Sequence, residues 1–81
     1  MIQVLFFAQV KELVGTASIE LEGEFSSAEE IRQHLVKKGD KWALALEQGK
    51  LLVAINQTIS DLSSPVKSGD EVAFFPPVTG G

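Results

Sequence analysis

Eighty-one residues, 44% of them hydrophobic and 22% charged, suffice for one small domain and leave no chain for a second core. A domain of this size buries only roughly 60–65% of its unfolded surface, which leaves little room for a deep cleft and disfavours an autonomous enzyme. Seven basic against eleven acidic side chains give a formal charge of −4, a field that repels nucleic acid and anionic membranes, and the absence of Cys excludes disulfides, thiolate metal sites and a thiol nucleophile.

In chain order, Ile2, Val4 and Phe6 alternate with Gln3, Leu5 and Phe7, which predicts a strand apolar on both faces and hence central in a sheet. Residues 9–14 read as a short helical turn stopped by Gly15, and Ile19 and Leu21 alternate with Glu20 and Glu22 as a strand with one wet face. Ser27 followed by Glu30 has the spacing of a capping box, with Ala28, Ile31 and Leu35 on one stripe of a helix running to about Lys38 and Gly39 as the residue beyond its C-terminus. Asp40 is expected to cap a shorter helix carrying Trp42, Leu44, Ala45 and Leu46, which Gly49 would stop. Residues 51–55 form another doubly apolar strand, and a short strand at 58–60 lies between the turns at Asn56-Gln57 and Ser63-Ser64-Pro65. After a turn at 67–70, Glu71 to Phe75 is the last strand, which Pro76-Pro77 cannot continue.

This order predicts an α+β fold with one main helix packed across one mixed sheet. If the first and last strands pair at its centre they run parallel, so Phe7 and Phe75 emerge at the end of the sheet where the tail begins. The expected organisation is a folded domain over 1–77 and a flexible tail over 78–81. No apolar run approaches the ~18 residues of a membrane span, and the opening residues lack the basic region of a secretory leader, so a cytoplasmic location is expected.

Gly at both final positions has a chance of only ~0.5% at ~7% average usage, so the tail is the most informative feature. One reading is a frayed terminus or a remnant of cloning. The other is functional: glycine makes the thinnest chain, able to pass a narrow channel and present its terminal carboxylate to a reagent. With an expected pKa of ~3.3–3.7 that carboxylate is ionised at neutral pH and can attack the α-phosphate of ATP. Fully extended, residues 78–81 reach about 13 Å at ~3.3 Å each, and their ordering costs ~1–2 kcal/mol per residue, which an interface elsewhere on the body must offset.

Leu5, Phe7, Ala73 and Phe75, extended by Ile59, are candidates for that interface as an apolar patch near the tail; the competing reading packs them under the helix of 40–48 or a loop. His34 has no second His or Cys with which to share a metal and reads as structural. Arg32, Lys37, Lys38 and Lys41 fit the dipole and solvation of a helix C-terminus, and Trp42 reads as core. No Gly-rich phosphate loop or paired-carboxylate spacing appears.

The run Gly69-Asp70-Glu71-Val72-Ala73-Phe74-Phe75-Pro76-Pro77-Val78-Thr79-Gly80-Gly81 closely resembles the end of the small subunits of molybdopterin synthase, the MoaD family of ubiquitin-like sulfur carriers. The opening residues 4–15 and the stretch 52–57 are similar to that family too, so the resemblance covers essentially the whole chain. It implies a β-grasp fold and a non-catalytic carrier. An adenylating, E1-like partner would use ATP and Mg²⁺ to activate the carboxylate of Gly81, and a sulfur donor would convert the adenylate to a thiocarboxylate. The carrier would then dock on the large subunit, in a heterotetramer of two small and two large chains. There it would give sulfur to the pterin precursor, cyclic pyranopterin monophosphate, for the molybdopterin dithiolene.

On this chain the resemblance makes Val78, Thr79, Gly80 and Gly81 the functional tail and places Phe7, Lys11, Ile59 and Phe75 in the partner interface. Lys11 stands where Arg is common, which removes the bidentate fork and keeps a positive charge for a partner carboxylate. The chain itself is expected to bind no metal or cofactor, and to end at Gly81 as the chemistry requires. Two other functions share the tail chemistry or the fold: sulfur delivery for the thiamine thiazole, and a ubiquitin-like modifier joined through Gly81 to protein lysines. A passive interaction domain whose tail is never activated is the remaining alternative.

Overall fold

The computed structural model describes residues 1–47 and 51–77. Within them lie β1 (Ile2–Phe6), α1 (Ala8–Val14), β2 (Ser18–Leu21), α2 (Ala28–Val36), α3 (Asp40–Leu46), β3 (Leu52–Ile55), β4 (Thr58–Ser60) and β5 (Glu71–Phe75). The strands form one mixed sheet in the order β2-β1-β5-β3-β4. β1 and β5 pair in parallel, as the doubly apolar patterns predict, and the other pairs are antiparallel.

Alternation along the strands divides the sheet into two faces. On the inner face, Val4 pairs with Val72 and Phe6 with Phe74, while Val53 of β3 lies opposite Phe74. These side chains are buried with Val10 of α1, Ala28, Ile31 and Leu35 of α2, and Ala45 and Leu46 of α3 in one cluster. Each fully buried chain of this size contributes ~1.5–3 kcal/mol. Trp42 meets the cluster edge-on, its ring 5.5 Å from that of Phe6.

The helices carry their own local determinants. The Ser27 hydroxyl accepts from the Glu30 amide at 3.2 Å, but the Glu30 carboxylate accepts from the Ser26 hydroxyl at 2.6 Å, so only half of the expected capping box forms. Arg32 ties α2 to α3: Nη1 donates to the Leu46 carbonyl at 3.0 Å while Nε and Nη2 grip both oxygens of Glu29 at 2.6 Å. The guanidinium holds the Glu29 carboxyl below its ordinary range. His34 stands edge-on to Phe25 at 5.4 Å between ring centres.

Two expectations need correction. α2 ends at Val36 with Lys37 as its C-terminal cap, and Gly39 instead precedes α3 as its N-terminal cap, because only residues 37–39 separate the two helices. Asp40 therefore lies inside the first turn of α3, where its charge meets the positive end of the helix dipole. Leu44 is 65% exposed: burial of Trp42, Ala45 and Leu46 at helical spacing turns position 44 outward. The expected stop at Gly49 lies outside the described residues.

Candidate functional site

Among the described residues, no helix packs on the outer face of the sheet. α3, expected by one reading to cover the patch, packs on the inner side against α1 and α2 instead. The register instead lines up one row across four strands: Leu5 opposite Ala73, Ala73 opposite Ala54, and Ala54 opposite Ile59. A second row begins at the Phe7 amide, which donates to the Phe74 carbonyl at 3.3 Å and carries the β1–β5 pairing one residue further, and continues through Phe75 to Leu52.

Small side chains in the centre and large ones at the margin make this face concave. Ala54 and Ala73 form the floor, Leu5, Phe7, Phe75 and Pro76 rise around it, and the groove holds about 770 Å³. Phe7 is 48% exposed although a ring of its size would ordinarily be buried. Such an apolar concavity on a small domain marks a place for a partner.

Of the residues expected at the interface, the structure brings Phe7 and Phe75 together in the groove wall. Ile59 does not line it; 67% exposed at the β4 edge of the sheet, it extends the apolar face beyond Ala54. Lys11 is also outside the wall, exposed on α1 one turn after Phe7, whose carbonyl accepts from the Lys11 amide at 3.3 Å. Val78, Thr79, Gly80 and Gly81 lie outside the described residues, which end at Pro77 beside the groove.

Sequence reasoning missed Ala8, Ala54, Gln57, Glu71, Pro76 and Pro77 in the lining. Ala54 was within reach, since the two-residue turn at Asn56-Gln57 sets it opposite Ile59. The hairpin end of the groove is held by Asn56. Its Oδ1 accepts from the Glu71 amide at 3.0 Å, and its Nδ2 donates to Oδ1 of buried Asp70 at 3.1 Å. The other Asp70 oxygen accepts from the Lys67 amide at 2.9 Å, and the Asn56 and Lys67 bonds keep the Asp70 carboxyl below its ordinary 3.8.

Among the described residues, no group of His, Asp and Glu could hold a metal ion, and no helix is long and apolar enough to cross a membrane. The apolar lining of the groove suits it to association with a partner surface. A mixed five-stranded sheet with helices on one side and an open apolar groove on the other defines a ubiquitin-like β-grasp protein.

The chain belongs to the ThiS family, whose profile matches residues 4–81. It is 68% identical to the molybdopterin synthase sulfur carrier subunit of Haemophilus influenzae and 60% identical to that of Escherichia coli, in each case over the full length of both chains. Among solved structures, it is similar to a protein–protein complex of subunits 1 and 2 of the molybdopterin-converting factor from Helicobacter pylori. The matching chain there is 27% identical with a TM-score of 0.69, over 99% of this chain and 97% of that one.

Proposed function

We propose that the chain is the sulfur-carrying small subunit of a molybdopterin synthase and supplies sulfur from its own C-terminus while the large subunit holds the active site. The observation that carries this reading is the groove walled by Phe7 and Phe75 at the tail end of the sheet, in a chain that matches named sulfur carriers from end to end. A body that must seat on a partner needs such a surface, and the four residues after Pro77 can reach about 13 Å from it.

The carrier's part in the chemistry follows from its carboxylate. Ionised at neutral pH, the terminal group of Gly81 attacks the α-phosphate of ATP on an adenylating partner, which holds the Mg²⁺; pyrophosphate leaves and an acyl-adenylate forms. The persulfide of a donor sulfurtransferase displaces AMP to give an acyl disulfide, which a second thiol cleaves reductively, leaving the thiocarboxylate on the carrier and a disulfide on the donor side. The loaded carrier docks on the large subunit and passes the sulfur to the pterin. Because a dithiolene needs two sulfurs, two loaded carriers are consumed per product. Two small and two large chains form the complex, and the adenylating partner competes with the large subunit for the same groove. ATP-dependent charging assigns this work to the cytoplasm, and no cofactor resides on the chain itself.

The test is intact mass spectrometry after incubation with the adenylating enzyme, ATP and a sulfur source, with and without a thiol alkylator. The chain has no Cys, so a thiol-selective adduct reports the thiocarboxylate alone. One adduct mapped to Gly81 is expected; none, with partners active on a control carrier, would overturn the reading. Deleting Gly81 or adding one residue after it should abolish sulfur transfer and leave the melting transition in place.

A further inference from the structure

Three non-glycine residues among those described have positive φ: Ala8 at 53°, Asn56 at 51° and Gln57 at 69°. An L-residue in this left-handed region is strained by roughly 1–2 kcal/mol, so each needs a compensation. Asn56 has one, since its carboxamide bonds both the Glu71 amide and the Asp70 carboxylate. Gln57 follows it at the second central position of the two-residue β3–β4 turn, where Gly is the favoured residue. Gln57 is exposed and lines the groove, and its side chain forms no hydrogen bond with another of the described residues. The other residue without a local compensation, Ala8, lines the same groove.

Uncompensated backbone strain confined to a binding surface points to a function that glycine could not perform there. Gln57 brings a carboxamide, one donor group and one acceptor, to the rim of a face whose floor is Ala54 and Ala73. That pair matches a peptide group of an opposing chain. We propose that Gln57 is a specificity-determining residue of the docking surface, its carboxamide pairing with a backbone peptide group of the large subunit seated over the groove. This rests on the proposed function above, which names that occupant.

The assignment predicts opposite signs for stability and binding. Gln57→Gly relieves the turn and removes the carboxamide: the melting temperature should rise by about 4 °C, while affinity for the large subunit should fall about three- to tenfold. Gln57→Met keeps the side-chain length and the strained turn but cannot hydrogen-bond; it should melt with the parent and lose affinity to a similar extent. The experiment is calorimetric titration of each full-length variant into the purified large subunit, with thermal melts of each variant alone. Parental affinity in both variants would overturn this assignment and leave the functional reading intact. Failure of the parent itself to bind would overturn both. Weakened binding by Gln57→Gly alone would also overturn it, since that would make backbone conformation, and not the carboxamide, the determinant.

Discussion

Phe74 and Phe75 are neighbours in one strand with the same side chain, yet they belong to different parts of the molecule. Phe74 is wholly buried opposite Phe6 and Val53 beneath the helices, while Phe75 is half-buried on the open face beside Phe7. The same division separates Phe6 from Phe7. In a chain of 81 residues, a single period-two strand can thus serve the core with one face and a partner with the other.

Substitution is the most direct way to break that contrast. Phe74→Ala should cost about 3–5 kcal/mol of folding stability in urea denaturation, through lost transfer free energy and the cavity left behind. A loss no larger than that of Phe75→Ala would refute the division of faces. Phe75→Ala should leave the folded state populated and weaken binding to the large subunit by about 1–3 kcal/mol, read by titration calorimetry. An unchanged affinity in a folded variant would remove Phe75 from the interface.

The helical layer offers a sharper cut. Arg32→Ala removes the bond to the Leu46 carbonyl and the partner of Glu29. Because Leu46 itself is buried, loss of the bond to its carbonyl outweighs loss of the partly exposed ion pair, and a cost of about 1–2 kcal/mol is expected. Binding to the large subunit should stay at the parental value, since Arg32 lies on the side of the sheet opposite the groove. Lost affinity in the variant would mean that the helical layer shapes the docking face after all.

Much of this layout was legible in the sequence. Apolar residues on both faces of 2–7 and 71–75 announced two central strands, and pairing these at the centre of the sheet in parallel set Phe7 beside Phe75. The open face itself was not decided, because an apolar residue facing a helix and one facing a partner have the same pattern; Leu44 and Trp42 show the same ambiguity in reverse. Lys11 was assigned to the interface from resemblance alone and lies on α1 outside the groove wall, while Ile59, read also as an extension of the apolar patch, extends that face from the sheet edge without lining the groove. Arg32 read as one of four cations at a helix end because its acceptor, the Leu46 carbonyl, is fourteen residues away. Gln57 carried no signal of its own, since only the observed backbone angle distinguishes it from an ordinary turn residue.

Asp70 gives the smallest effect and the one with a defined pH dependence. Its carboxylate joins the Asn56 side chain to the Lys67 amide and so fixes the β3–β4 hairpin to the start of β5, at the polar end of the groove. The Asn56 bond first, and the Lys67 amide next, lower its pKa from 3.8. A carboxyl with a depressed folded-state pKa stabilises fully above its unfolded value, and the contribution is lost as pH falls through the lower folded value. Asp70→Asn keeps an acceptor for Asn56 but confronts one of its two amide partners with a donor or a weaker acceptor, so it should cost about 1 kcal/mol near neutral pH. Urea midpoints of parent and variant should draw together as pH drops from about 7 to about 3. A gap that stayed constant would assign the loss to packing around the hairpin, and one that widened in acid would contradict the charged pairing of Asp70 altogether.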